Sequence, residues 1–333
     1  MTIPITYRRC FWLLLLVSLL AAGILADSLQ PTCAACGRTI DGPRLQVDGR
    51  YYHPDHFTCD FCNRPITSDY MVVDGKNYHN SCYERHIAVH CAHCGLIIRG
   101  EYLVDYWGNP YHAQHQRDAR QCKYCSRFIS DHLTNGGTTY RDGRTVCGSC
   151  LETAVHDEDE AGMIMREVAG HLAEIGIEVD PDVIDLHLID LGEMVSRFGK
   201  QSHNLRGFVD YHEKTSMLGV VKERTIDLYL VTGMPRRHTV TTLAHEMTHV
   251  WQYLNGRLAT DPLFSEGSCN YAAFLVLLNY PGDETEYVIE TLLKDDDPIY
   301  GEGFRRVMAY AESVGTGAWL RRLRSQDNLP RGY

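Results

Sequence analysis

The sequence is short of positive charge. It carries 32 lysines and arginines against 43 aspartates and glutamates, a formal net charge of −11, so it offers no broad basic face and no nucleic-acid partner is expected. Beyond its first 26 residues it has no apolar run long enough to cross a bilayer. It also lacks the irregular cysteine spacing of a disulfide framework, although it holds 13 cysteines. Its apolar content of 44% is ordinary for globular protein, and 333 residues leave room for two or three domains.

The first 26 residues read as a signal peptide or an N-terminal anchor. Arg8 and Arg9 precede an uncharged apolar run from Phe11 to Leu25, and small residues follow at Ala21, Ala22, Gly23 and Ala26. A run of 15 is short for a membrane span and suited to a signal. Both readings place the body outside, as a periplasmic or extracellular protein or as one anchored facing outward, because the positive flank stays inside. A membrane is met only through that segment. Eleven zinc-bound thiolates in an exported protein run against the usual compartment rule for cysteine.

Ten cysteines pair as C-x-x-C, at 33/36, 59/62, 91/94, 122/125 and 147/150, and histidines recur between the pairs. Such a turn aims two thiolates at one ion. In the first repeat Cys33, Cys36, His53 and His56 form one set, and Cys59, Cys62, His79 and Cys82 a second only two residues further on. Two fingers in tandem at this spacing are a LIM pattern, taken as residues 33–85. The second repeat, residues 90–152, supplies Cys91, Cys94, His112 and His115, then Cys122, Cys125, Cys147 and Cys150. It is LIM-like: six residues rather than two separate its fingers, and 21 separate Cys125 from Cys147. Each set has four N/S ligands and no vacancy, as structural zinc requires, so the modules are expected to bind protein partners and do no chemistry.

Residues 153–333 read as the catalytic domain. The acidic run 156–160 opens a helix with Met163, Val168, Leu172 and Ile175 roughly on one face. Strands are expected over 207–211 and 225–231, with residues 183–189 a strand or a helix start. Gly233-Met234-Pro235 reads as a turn. Helices are expected over 239–255, ended by Gly256, over 267–279, and over 304–324 with a break near Gly315. His245-Glu-Met-Thr-His249 is H-E-x-x-H on the first of these. A four-residue step puts both imidazoles on one helical face, and Glu246 beside the metal is suited to take a proton from water. A catalytic zinc needs a third protein ligand. Glu266, separated from His249 by 16 residues and opening the next helix, is the leading candidate. Its alternative role is a helix-terminal carboxylate favoured by the dipole, with Asp261, Glu284 and Glu286 as weaker ligands. The strand before the active helix, residues 225–232, is either a substrate-pairing edge strand or an ordinary sheet strand. Tyr271, Tyr253, His203 and His212 are unranked candidates for a transition-state donor.

The order LIM, LIM-like, then Ala244-His-Glu-Met-Thr-His-Val-Trp251, Leu254-Asn-Gly256 and Glu266-Gly-Ser-Cys269 resembles the plant LIM-domain, ubiquitin-activated zinc peptidases that restrict organ growth. The resemblance spans about residues 33–290. It implies that His245, His249 and Glu266 hold the catalytic zinc, that Glu246 is the base, and that the activity is endoproteolytic. Ubiquitin activation does not carry over, since an export signal is read before Cys33 where those proteins have ubiquitin-interacting motifs. An exported, bacterial or other, relative is expected. The fold class is α+β: two small zinc-ribbon LIM modules, then a gluzincin-like metallopeptidase domain. One catalytic and four structural zinc ions are expected, with protein or peptide substrates and a partner bound through the LIM modules. The competing readings are a LIM scaffold whose peptidase domain is inactive, and a zinc store, which leaves Glu246 without a role.

Overall fold

The computed structural model describes residues 6–8, 30–199, 205–216, 221–255 and 261–333. The run Phe11 to Leu25, His203 and Gly256 lie outside the described residues. Among the described residues no helix is long and apolar enough to cross a membrane. The chain forms two compact units, Met1–Asp118 and Ala119–Tyr333. The division falls in the six-residue spacing between His115 and Cys122, inside the LIM-like module rather than at residue 152.

In the first unit short hairpins carry the ligands. Leu45–Val47 pairs with Arg50–Tyr52, and Tyr70–Val73, which Thr6–Arg8 flanks, pairs with Lys76–His79. Both hairpins turn on Asp-Gly with positive φ at each residue (Asp48 49°, Gly49 76°; Asp74 49°, Gly75 76°), the pair that matches strand twist. Phe57, Ile66, Tyr70 and Tyr78 make a small core around the buried Cys59.

The second unit opens with the finger that carries Cys122 to Cys150. Helix α1 (Glu158–Glu174) follows, with Asp157 accepting the Glu160 amide and three acids in the first turn, as the acidic run implied. Its buried face is Ala161, Ile164, Met165, Val168, Ala169 and Leu172. Met163, expected on that face, is 63% exposed. Strand β1 (Asp185–Ile189), helix α2 (Leu191–Phe198), strand β2 (Gly207–Thr215) and strand β3 (Val221–Val231) come next. The sheet order is β1-β3-β2, with β1 parallel and β2 antiparallel to β3. The strand over 225–231 is therefore central. Both its edges are already paired, so it cannot bind substrate as an edge strand. β1 and β2 are the two edge strands of this sheet among the described residues, and β2 is the one that starts against Glu246.

Gly233 makes the expected turn at φ 74°, and Met234–Pro235 then pairs with Ala154–Val155. Helix α3 (Arg236–Leu254) starts directly after Pro235, three residues earlier than periodicity suggests. It is buried on nearly every side, which marks a central helix rather than a surface one. The hydroxyls of Thr241 and Thr248 donate to carbonyls one turn back, so these polar groups are satisfied inside the core. Helix α4 (Pro262–Leu277) begins five residues before the expected start. Asp261 caps it by accepting the Leu263 amide, and Pro262 takes the first helical position. Helices α5 (Asp283–Leu293), α6 (Tyr300–Val314) and α7 (Thr316–Ser325) complete the unit, with α6 and α7 breaking at Gly315.

Candidate metal centre

Four closed clusters assemble as the spacing implied: Cys33/Cys36/His53/His56, Cys59/Cys62/His79/Cys82, Cys91/Cys94/His112/His115 and Cys122/Cys125/Cys147/Cys150. All 12 described cysteines are free of disulfides. Ligands on a tetrahedral zinc lie roughly 3.3 Å apart for two nitrogens and roughly 3.8 Å for two thiolates, given bonds of about 2.0–2.3 Å. The protein matches that scale. His53 Nδ1 and His56 Nδ1 are 3.2 Å apart, Cys33 Sγ to His56 Nδ1 is 3.5 Å, Cys62 Sγ to His79 Nδ1 is 3.4 Å, Cys94 Sγ to His112 Nδ1 is 3.5 Å, and Cys125 Sγ to Cys147 Sγ is 3.6 Å. His79 turns its other nitrogen to the Pro65 carbonyl at 3.0 Å, which fixes the ring. Burial opposes ionisation of Cys33 and Cys91, yet backbone amides around the knuckles outweigh it and hold the thiols at about 5 and about 7. These residues fit zinc.

A fifth cluster lies in the second unit. His245 and His249 sit one turn apart on α3. Their Nε2 atoms converge on one oxygen of Glu266, at 3.1 Å and 3.2 Å. Glu266 is in the second turn of α4, past the capped end, so it is not the helix-terminal carboxylate that sequence left open. A helix crossing holds it in place: a Cβ on Gly267 would lie 2.3 Å from the carbonyl carbon of Gly303 on α6. Asp261 is spent as the α4 cap, and Glu284 and Glu286 are exposed on the first turn of α5.

Both imidazoles are oriented from behind. His245 Nδ1 donates to Asn270 Oδ1 at 2.8 Å, and Asn270 Nδ2 donates to the Tyr300 carbonyl at 3.1 Å. His249 Nδ1 donates to Gln252 Oε1 at 3.3 Å, which also accepts from Ser265 Oγ at 2.8 Å. Protons at Nδ1 leave both Nε2 lone pairs free for a cation. Cys269 also comes within 4.8 Å of the two imidazoles. Its sulfur lies 3.4 Å from His249 Nδ1, the nitrogen turned away from Glu266, and burial pushes its thiol well up. It supports the ring and is not at the focus.

The electrostatics favour positive charge at that focus. Burial disfavours charged imidazoles, but the Glu266 carboxylate wins and raises His245 and His249 to about 9. Burial likewise opposes ionisation of Glu266, and the imidazoles more than compensate, holding its carboxyl far below the usual range. One carboxylate and two imidazoles that give up their Nε2 protons to a bound cation, with an accessible side, are the donor set of a catalytic zinc site.

Glu246 is buried, and burial pushes its carboxyl up against the opposing pull of the two histidines. It lines a cavity of about 380 Å³ together with His245, Gly207, Arg206, Thr242 and Tyr300. Gly207, at the start of β2, allows this placement, since a Cβ there would meet Glu246 Cγ at 2.7 Å and Oε1 at 2.9 Å. Of the donors proposed from sequence, Tyr271 packs edge-on against Trp319, and His212 is exposed and paired with Asp210 at 3.0 Å. Tyr253 stacks on Tyr211. Sequence reasoning missed Tyr300, whose ring lies over His245 with centroids 6.3 Å apart and which lines the cavity. Burial and the nearby acids keep its phenol protonated. Asn270, Gln252 and Arg206 were missed as well. Only the adjacency of Asn270 to the Glu266-Gly-Ser-Cys269 stretch was a usable hint.

Fold and clusters together define a LIM-containing, multi-zinc α+β protein. A LIM domain model matches residues 33–87. The chain is 24% identical to Protein DA1-related 2 of Arabidopsis thaliana over 90% of its own length and 70% of that protein. It is 23% identical to Protein DA1 of the same plant over 75% of its length, and spans 58% of that relative. It is 30% identical to Paxillin-B of Dictyostelium discoideum over 36% of the chain and 21% of that protein. The similarity to the DA1-related LIM proteins extends well past the LIM domain.

Proposed function

We propose that the chain is a zinc-dependent endopeptidase whose LIM modules recruit or restrain protein substrates. The observation that carries this reading is the convergence of His245, His249 and Glu266 on one point beside the buried Glu246. When bound, zinc would supply Lewis acidity toward water and toward the scissile carbonyl. The chain's own residues do the rest. Asn270 and Gln252 hold the histidine tautomers. Glu246, with its carboxyl raised by burial, takes a proton from the attacking water as the carbon–oxygen bond forms. It returns that proton to the amide nitrogen as the carbon–nitrogen bond breaks. Tyr300 is the protonated donor available to the developing oxyanion. The free edge of β2, which starts against Glu246, suits an extended peptide held by backbone hydrogen bonds. Export by residues 1–26 remains part of the proposal.

The test is Glu246→Gln. It should leave all zinc in place, because Glu246 is not a ligand, and slow peptide hydrolysis by at least about a hundredfold. Equal turnover by wild type and variant, with chelator-insensitive rates, would leave a LIM scaffold as the reading.

A further inference from the structure

The cavity beside Glu246 has a charged wall that the hydrolysis described above does not use. Arg206 lines it. Among the described residues no carboxylate oxygen lies within ion-pair distance of its guanidinium, and its Nε is buried with no hydrogen-bond partner. The one polar side chain that holds it is uncharged: Nη1 donates to His238 Nδ1 at 3.0 Å, and His238 Nε2 donates to the Tyr124 carbonyl at 3.1 Å. Burial first, and the guanidinium second, push His238 down to about 3, so it accepts from Arg206 without supplying a counter-charge. Lys123 adds further positive field nearby, and Arg144 is already neutralised by Asp142 at 2.7 Å. Asp295 and Asp297 also line the cavity; Asp297 Oδ1 accepts from the amides of Ile299 and Tyr300, and Asp295 Oδ1 from the amide of Asp297. Asp295 attracts the guanidinium at longer range, but no carboxylate of the described residues contacts it, and its planar fork matches one.

We propose that Arg206 makes this cavity a subsite for a substrate carboxylate, so that the protein prefers peptides with an acidic side chain or a free C-terminal carboxylate close to the cleaved bond. The proposal rests on the peptidase reading. It adds to that reading the charge of the residue placed next to Glu246. His238 and the Tyr124 carbonyl, which sits inside the Cys122–Cys125 knuckle, hold the guanidinium in position in advance of binding.

The probe is a set of quenched fluorescent peptides, identical except for Glu, Gln or Lys at each of three positions either side of the bond. Each is made with a free and an amidated C terminus, and the full chain is loaded with zinc. At one position, or at the terminus, the carboxylate should raise kcat/KM about tenfold to a hundredfold over its amide. Arg206→Gln should bring that ratio close to one, and Arg206→Lys should retain part of it. Anisotropy of the same peptides on Glu246→Gln reads binding without turnover. Carboxylate-selective binding with no cleavage by wild type would sink the peptidase reading and keep the subsite. Cleavage with Glu-to-Gln ratios near one at every position and both termini would overturn the subsite and keep the peptidase. Should Arg206→Gln misfold, the wild-type ratios alone decide.

Discussion

The fingers at residues 33–82 and 122–150 use the same ligand arithmetic in different surroundings. The first pair is self-contained, with exposed or half-exposed ligands at Cys36, His53, Cys62 and His79 and its own small core. All four cysteines of the last finger are buried, and its contacts go to the rest of the second unit. Arg144 Nη2 donates to the Thr232 carbonyl at 2.9 Å, Tyr287 to Ser126 at 2.7 Å, and His238 of α3 to Tyr124 at 3.1 Å. Two copies of one motif thus do different work. One is a module that can present a surface, and the other is a prop under α3. The ligand count does not distinguish them; what surrounds the ligands does.

The largest expected effect breaks that contrast directly. Structural zinc contributes about 10–16 kcal/mol to small modules, comparable to a whole domain's stability. Cys147→Ser should therefore unfold the catalytic unit and abolish hydrolysis. Cys59→Ser should melt only the first unit and leave cleavage of a generic peptide intact. Likewise a chain beginning at residue 119 should fold and cleave, whereas one beginning at residue 153 should not fold. Thermal melts with zinc analysis and a peptide assay read all four. An active chain from residue 153 would show the last finger to be a detachable module.

Next in size is Glu266→Ala, which should lose the open-site zinc and all activity while the four closed clusters stay loaded. Elemental analysis should then fall from five ions per chain to four. A zinc-replete, active variant would hand the third position to another group. Tyr300→Phe should cost roughly tenfold to several hundredfold in kcat with zinc content unchanged, the scale of removing one oxyanion donor. Gly207→Ala should displace Glu246 and reduce turnover by up to about a hundredfold, again without zinc loss. The smallest effect is on stability. Gly267→Ala should push α4 from α6 and cost about 1–3 kcal/mol, seen as a lower melting temperature of the second unit alone.

Much of the site was legible before any coordinates. A three-residue or four-residue step fixes which side chains can face one ion, so the cysteine knuckles and the H-E-x-x-H pair needed no tertiary information. Glu266 was legible as a candidate but not as a ligand, because its rank depended on where α4 begins. Helix starts depend on caps: Asp261 and Pro262 carry the signal, and reading apolar periodicity alone delayed the start to Gly267. The strand over 225–231 was found, but its place in the sheet was not. Strand order is set by long-range pairing with β1 and β2, which alternation along one segment cannot reveal.

By itself the sequence determined the local chemistry: four closed ligand sets, one open pair of histidines, a glutamate beside them, and an α+β body to carry them. Tertiary structure decided which groups meet across distance. It brought Glu266 to the two histidines, laid Tyr300 over His245, and set Arg206 in the cavity wall. It also assigned the last finger to the second unit. The physical reason is separation along the chain. Ligands three or four residues apart are placed by the backbone's own geometry, whereas partners 30 or 114 residues apart, such as Asn270 with Tyr300 and Tyr124 with His238, meet only when the core between them packs.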